Sequence, residues 1–200
     1  MNLTEGKQQI LKSRHNATWT RDWRYSVKDV ALATSAAPIY FPIATIDNQL
    51  FADGGLFANA PDLVALHEAN EFFGQSDSKV RMLSIGTLSG AYALPASTKR
   101  ERGVWDWLRP PAFPLIQTIL AAQQQFSTQI VAHRLGSNYV RIDGQPADAV
   151  MRDVGMDKTS AESQQVLLGL AAKHVTDQVG TDRVQQFLTH ASREWLYKGE

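Results

Sequence analysis

Between Pro61 and Phe73, Leu63, Leu66, Asn70 and Phe73 fall three and four residues apart, with Val64 beside them. That spacing puts them on one face of a helix. Pro61 suits the first helical position, Asn59 or Ala60 the cap, and Gly74 the stop. A shorter helix is predicted over Ser26 to Ala33. Ser26 is its N-cap, Asp29 sits near the positive end of its dipole, and Pro38 forbids continuation. A long amphipathic helix is predicted over Leu115 to Leu135, ended by Gly136. Its apolar face holds Leu115, Ile119, Ala122, Phe126, Ile130 and Val131. Two more helices, Ser160 to Val179 and Thr181 to Ala191, flank Gly180.

Shorter apolar runs read as strands. Gly6 to Lys12 is predicted to be a strand or its end, with Ile10 and Leu11 as the apolar pair. Ala44 to Ile46 and Gln49 to Ala52 flank Asp47-Asn48, a turn pair, and predict a hairpin. Val80 to Gly86 reads as a buried strand and Tyr139 to Ile142 as another. Strand, glycine-rich turn, helix and strand in this order indicate an α/β protein. Residues 91–112 read as irregular, with the charge cluster Lys99-Arg100-Glu101-Arg102 and Pro110-Pro111. They divide the expected organisation into residues 1–90 and a mainly helical region, residues 91–200.

Composition narrows the function classes. The 200 residues suit one domain or a domain with an extension. Lys plus Arg equals Asp plus Glu at 20 each, so no cationic surplus favours a nucleic-acid polymer as partner. Without cysteine the chain has no disulfide, thiolate nucleophile or cysteine-ligated zinc. The start, Met1 to Lys7, is polar and lacks the apolar region of a signal peptide. No apolar run approaches the length of a membrane span. The expected location is cytoplasmic, with peripheral contact at a membrane left open.

The most informative residues are Asp53-Gly54-Gly55. Asp53 follows an apolar strand, so its carboxylate is expected at a strand end, where open α/β sheets place their sites. The two glycines let the backbone turn tightly and let another group approach closely. The tripeptide alone reads as well as a turn aspartate bonding its own backbone. The flanking residues shift the reading. Ala33-Thr34-Ser35-Ala36-Ala37-Pro38-Ile39-Tyr40-Phe41-Pro42 precedes the hairpin, and Phe51-Ala52-Asp53-Gly54-Gly55 leads into Asn59-Ala60-Pro61 and a helix.

From Ala33 to Ala69 this run resembles the patatin-like phospholipases nearly position by position. Leu83-Ser84-Ile85-Gly86-Thr87 is similar to the family's next strand and turn, and the resemblance covers Asn2 to Leu88. One departure is Ala60, where many members carry a second asparagine, which bears on the local hydrogen bonding. Thr18 to Gly74 further resembles a bacterial group of these enzymes, effectors controlled by cyclic nucleotides. The resemblance implies a partial α/β/α three-layer fold, with residues 1–90 as the C-terminal part of a catalytic domain. It implies hydrolysis of carboxylic esters in phospholipids or acyl lipids by a Ser-Asp dyad. Asp53 matches the aspartate that accepts the serine's proton directly. No metal or organic cofactor is implied.

The family's nucleophile sits in Gly-x-Ser-x-Gly on a strand-to-helix elbow, and its oxyanion hole comes from an upstream glycine-rich loop. Neither occurs in these 200 residues. In Gly86-Thr87-Leu88-Ser89-Gly90 the serine is displaced by one position and follows the wrong strand. Ser35 reads as a backbone-capping hydroxyl. The chain is therefore expected to be a fragment that supplies the base without its nucleophile. Activity would need the missing N-terminal portion or a complementing chain. The alternative is a non-catalytic binding or regulatory module that retains part of the fold.

The remaining candidates read as structural. His15, His67, His133, His174 and His190 show no metal spacing and are expected at the surface or in helix packing. Trp105, Trp107, Leu108 and Phe113 surround prolines beside basic residues. They fit either contact with an acyl chain or membrane interface, or anchoring of a loop to the core, and the second reading is preferred.

Overall fold

A computed structural model describes residues 1–87, 94, 96–108, 110, 113–144, 154 and 158–191 of the protein. Packing divides the chain into two compact units, Met1–Val80 with Ser89–Gly136, and Arg81–Leu88 with Ser137–Glu200.

The first unit is organised around a hairpin. Strands β1 (Ala44–Ile46) and β2 (Gln49–Phe51) pair antiparallel with Ala44 opposite Phe51. Asp47 and Asn48 take φ of 47° and 61°, as a two-residue turn with both central residues left-handed requires. Helix α1 (Val27–Thr34) packs on β1. Its first turn is capped as expected: the Asp29 N–H donates to Ser26 Oγ at 3.1 Å, and that hydroxyl donates to Asp29 Oδ2 at 2.7 Å. Ala33, Ile46 and Phe51 form the core here, with Leu11, Tyr25 and Ala44 against it.

The strand expected over Gly6 to Lys12 does not form. Lys7 makes a single bridge to Asn2, and residues 8–13 have no regular secondary structure. Among the described residues no strand lies alongside them, so side chains hold them instead. Asn2 is fully buried and bridges to Phe51. Its Nδ2 donates to Gln9 Oε1 at 2.9 Å and to Gln49 Oε1 at 3.1 Å.

After β2 come α2 (Gly55–Ala58), α3 (Asp62–Glu71), α4 (Val104–Leu108) and α5 (Pro114–Leu135). Part of the stretch read as irregular, residues 91–112, is thus the short helix α4. Leu66 of α3 and Val131 of α5 are fully buried, and the two helices pack together. Helix α5 has the predicted length, but of the predicted face only Val131 is fully buried. Leu115, Ile119 and Phe126 are exposed, whereas Ser127, Val131 and Leu135, four apart, are buried. The reason is polar. Ser127 Oγ donates to Ala60 O at 2.9 Å and accepts the Leu63 N–H at 3.1 Å, turning that side inward.

The second unit holds β3 (Met82–Ile85) and β4 (Tyr139–Ile142), paired parallel, then α6 (Ala161–Gln178) and α7 (Asp182–Leu188). Ser160 caps α6 by accepting the Ser163 N–H at 3.2 Å. Arg183 of α7 donates to the carbonyls of Ser137 and Tyr139. Strand β3 was expected to be buried throughout, yet Ile85 is exposed. A parallel strand is covered on both faces only within a larger layered sheet, and this sheet has two strands among the described residues. Past β3, the Gly86 N–H donates to Ile142 O at 2.8 Å, and the Asp143 carboxylate occupies the space a side chain at Gly86 would need. The chain is mixed α/β, with parallel pairing and a helical C-terminal part.

Candidate active site

Asp53 stands where the strand reading placed it, two residues beyond β2. Phe51 and Ala52 are buried and fix the strand exit, while Asp53 itself is half-buried. Its N–H donates to Ala36 O at 2.9 Å, which joins the motif to the Ser-Ala-Ala-Pro turn. Its Oδ1 accepts the Gly55 N–H at 2.6 Å. Among the described residues no hydrogen bond reaches Oδ2.

The two glycines are not equivalent. A Cβ on Gly55 would lie 3.2 Å from Asp53 Oδ1 and 3.4 Å from Asn59 Oδ1, so a side chain would press on the carboxylate. A Cβ on Gly54 would meet Thr34 Oγ1 at 3.7 Å, an ordinary contact. Gly55 therefore lets the carboxylate fold back over the start of α2.

Asp53 lines a cleft of about 390 Å³. Ile10, Leu11, Val30, Phe57 and Val64 give it apolar walls, and Asn59 adds a polar group. That volume suits a small ligand or part of an acyl chain. Met1 also lines the cleft.

Sequence reasoning missed the groups that hold the cleft walls. Helix α5 supports the α2–α3 loop. Gln123 donates to Leu56 O at 2.8 Å, Asn59 donates to Gln124 Oε1 at 3.1 Å, and Ser127 bonds Ala60 and Leu63. Ala60 is buried and takes part through its carbonyl, so the departure from asparagine leaves the loop tied by Ser127. The available signal was the polar run Gln123-Gln124-Gln125 inside an apolar helix. On the other wall, Lys12 follows Gln9 to Leu11. Its Nζ lies 2.5 Å from Glu68 Oε1, 4.1 Å from the Trp19 ring centre and 4.2 Å from that of Phe72. An ion pair between two rings thus pins a segment with no regular structure to α3.

The other candidates fall as follows. Ser35 Oγ donates to Ala31 O at 2.7 Å and closes α1, the capping role expected of it. Ser89 lies outside the described residues. His15 stacks on Phe73 and meets Trp19 edge-on, and His67 meets Phe72 edge-on, both as packing residues. Among the described residues no cluster of three metal-ligating side chains exists. Trp107 is half-buried under the Arg102 guanidinium, but Trp105 is 74% exposed. The preferred reading, that both tryptophans anchor to the core, therefore fails for Trp105. Among the described residues no helix is long and apolar enough to cross a membrane.

Comparison with known proteins adds to this geometry. A family model described as patatin-like phospholipase matches residues 9–66, a span that encloses Asp53, Gly54 and Gly55. A cGAMP-activated phospholipase of Pseudomonas aeruginosa is 34% identical over 192 residues, covering 95% of this chain and 56% of that protein. One from Vibrio cholerae is 35% identical over 175 residues, covering 82% of this chain and 49% of its own length. One from Escherichia coli is 33% identical over 180 residues, covering 84% and 51%. The chain spans about half the length of the curated relatives it matches. Similarity runs far past Leu88, the limit of the resemblance read from the sequence. No solved structure matches the chain.

Proposed function

The chain belongs to the patatin-like phospholipase family, bacterial in type, and on that premise we propose that it supplies the aspartate of a Ser-Asp dyad. The dyad hydrolyses carboxylic esters of phospholipids or acyl lipids. The observation that carries this reading is Asp53 itself. It is half-buried at a strand exit beside an apolar cleft, with Oδ1 fixed by the Gly55 N–H and no hydrogen bond at Oδ2.

The proposed chemistry is acyl transfer. As a serine Oγ bonds to the ester carbonyl carbon, its proton passes to the Asp53 carboxylate and the carbonyl electrons move onto oxygen. Collapse of that intermediate breaks the bond to the alcohol oxygen, which takes the proton from Asp53. Water then attacks the acyl-serine with Asp53 again as base, and the proton returns to the serine. The fixed Oδ1 keeps the carboxylate oriented throughout, as positioning requires. The nucleophile comes from outside these 200 residues, on an N-terminal portion or a complementing chain, so this chain alone is inactive. Residues 1–90 then belong to the catalytic domain. The match to the Pseudomonas aeruginosa relative covers 95% of this chain and so takes in most of residues 91–200, which supports assigning them to the same enzyme. Since those relatives are named as cGAMP-activated, we extend control by that nucleotide to the assembled protein.

The test is complementation. Joining this chain to a family segment that carries Gly-x-Ser-x-Gly is expected to restore phospholipid hydrolysis and labelling of that serine by a fluorophosphonate. The absence of Gly-x-Ser-x-Gly here favours one rival, a non-catalytic module that keeps part of the fold. A joined, folded protein that neither hydrolyses lipid nor takes the label would favour that rival.

A further inference from the structure

The turn that delivers Ala36 to Asp53 continues into a segment that the catalytic reading leaves unused. Ile39, Phe41 and Ile43 are 58%, 59% and 55% exposed, and Tyr40 is partly so. From Ala36 to Ile46 there is no charged residue. Three large apolar side chains exposed along five residues are unlike the scattered exposure of an ordinary surface. Ile39 also takes φ of 80°, which a β-branched residue adopts only when its surroundings impose it. The amides of Tyr40 and Phe41 both donate to Ala37 O, and Pro38 and Pro42 bracket the turn, so the segment is stiff.

We propose that the Ile39–Ile43 turn is a lipid-insertion edge that seats the Asp53 cleft on an anionic phospholipid layer. Two observations choose lipid over another protein surface. The first is continuity with the cleft. Ala36 is bonded to the Asp53 amide, and Thr34 lines the cleft against Gly54, so the turn starts at the place an acyl ester must reach. The second is charge. Just upstream lie Arg14, Arg21, Arg24 and Lys28, against Asp22 and Asp29. The guanidinium carbons of Arg14 and Arg24 lie 5.5 and 5.4 Å from the ring centre of the exposed Trp23. Tryptophan among cations suits the headgroup level of an anionic layer. Stiffness also lowers the ordering cost of insertion.

This inference rests on the phospholipase reading for its purpose, but its test does not need catalysis. The protein joined to the segment that carries Gly-x-Ser-x-Gly is sedimented with and without vesicles of phosphatidylethanolamine and phosphatidylglycerol, and folding of each variant is checked by circular dichroism. The expected result is partition into the pellet, weakened about tenfold or more by either Phe41→Asp or Ile39→Asp, and largely kept in Phe41→Leu. Asp53→Asn is expected to bind as the parent does, so a failed dyad and a failed lipid edge give different results. Absence of partition, or partition unchanged in folded Phe41→Asp and Ile39→Asp, would overturn the proposal. Loss confined to Trp105→Asp would do so too, by moving the contact to α4. So would a dimer that forms without lipid and disappears in Phe41→Asp, since a second copy would then cover the turn.

Discussion

The Gly55 amide donates to Asp53 Oδ1 at 2.6 Å, so the residue that completes the motif also fixes the carboxylate's orientation. The glycine is needed because a side chain there would crowd both this oxygen and Asn59 Oδ1. Gly55→Ala is expected to leave the fold intact, since alanine is favoured in a helical turn. In a protein carrying the serine elbow it should lower phospholipid hydrolysis by about tenfold, because the carboxylate must shift. Gly54→Ala, whose methyl group would meet Thr34 Oγ1 at an ordinary contact distance of 3.7 Å, should stay within about twofold of the parent. Steady-state rates of both variants check the contrast; equal effects would contradict it.

Ser127 is buried and serves two backbone groups, the Ala60 carbonyl in the α2–α3 loop and the Leu63 N–H in the first turn of α3. Ser127→Ala leaves the Leu63 N–H without its acceptor and the Ala60 carbonyl without its donor. The expected cost is about 1–3 kcal/mol of unfolding free energy. Urea denaturation should report it as a lower midpoint with an unchanged slope.

These two cases show what was legible in the sequence. Asp53 was readable because a strand end and two glycines are local signals. The Ser26 cap and the Asp47-Asn48 hairpin were readable for the same reason, since each depends on residues within a few positions. Ser127 was not, because a serine on an apolar helix shows its purpose only once Ala60, 67 residues away, is beside it. The same holds for Lys12, whose partner Glu68 lies 56 residues on. The missing strand over Gly6 to Lys12 has a related cause: an apolar pair proposes a strand, but only a neighbouring strand can complete one. Similarity beyond Leu88 went unread because residues 91–200 carry no short motif.

Asp77 gives a pH prediction. The Arg134 guanidinium donates to both of its oxygens and, with a smaller part from Asn70, holds its carboxyl below the usual carboxylate range. In the unfolded chain the group takes a proton near pH 4 or about there. The folded value is the lower one, so the contribution to stability is fully present above the unfolded value. It is lost as pH falls through the folded one. Arg134→Gln removes the contribution at all pH values. Thermal unfolding from neutral to strongly acidic pH should therefore show a shallower acid-side decline in Tm for Arg134→Gln than for the parent. Parallel curves would contradict the assignment.

The central claim is that Asp53 accepts the proton of a serine that attacks a lipid ester. The most direct measurement is phospholipid hydrolysis by a protein carrying the serine elbow, with Asp53 and with Asp53→Asn, at matched folding. Asparagine keeps the shape and still accepts the Gly55 amide through its carbonyl oxygen, but it takes up no proton. A general base in this position contributes about a hundredfold to ten-thousandfold. A loss in that range, with vesicle binding unchanged, is the predicted result. Activity retained within a few-fold in Asp53→Asn would contradict the claim.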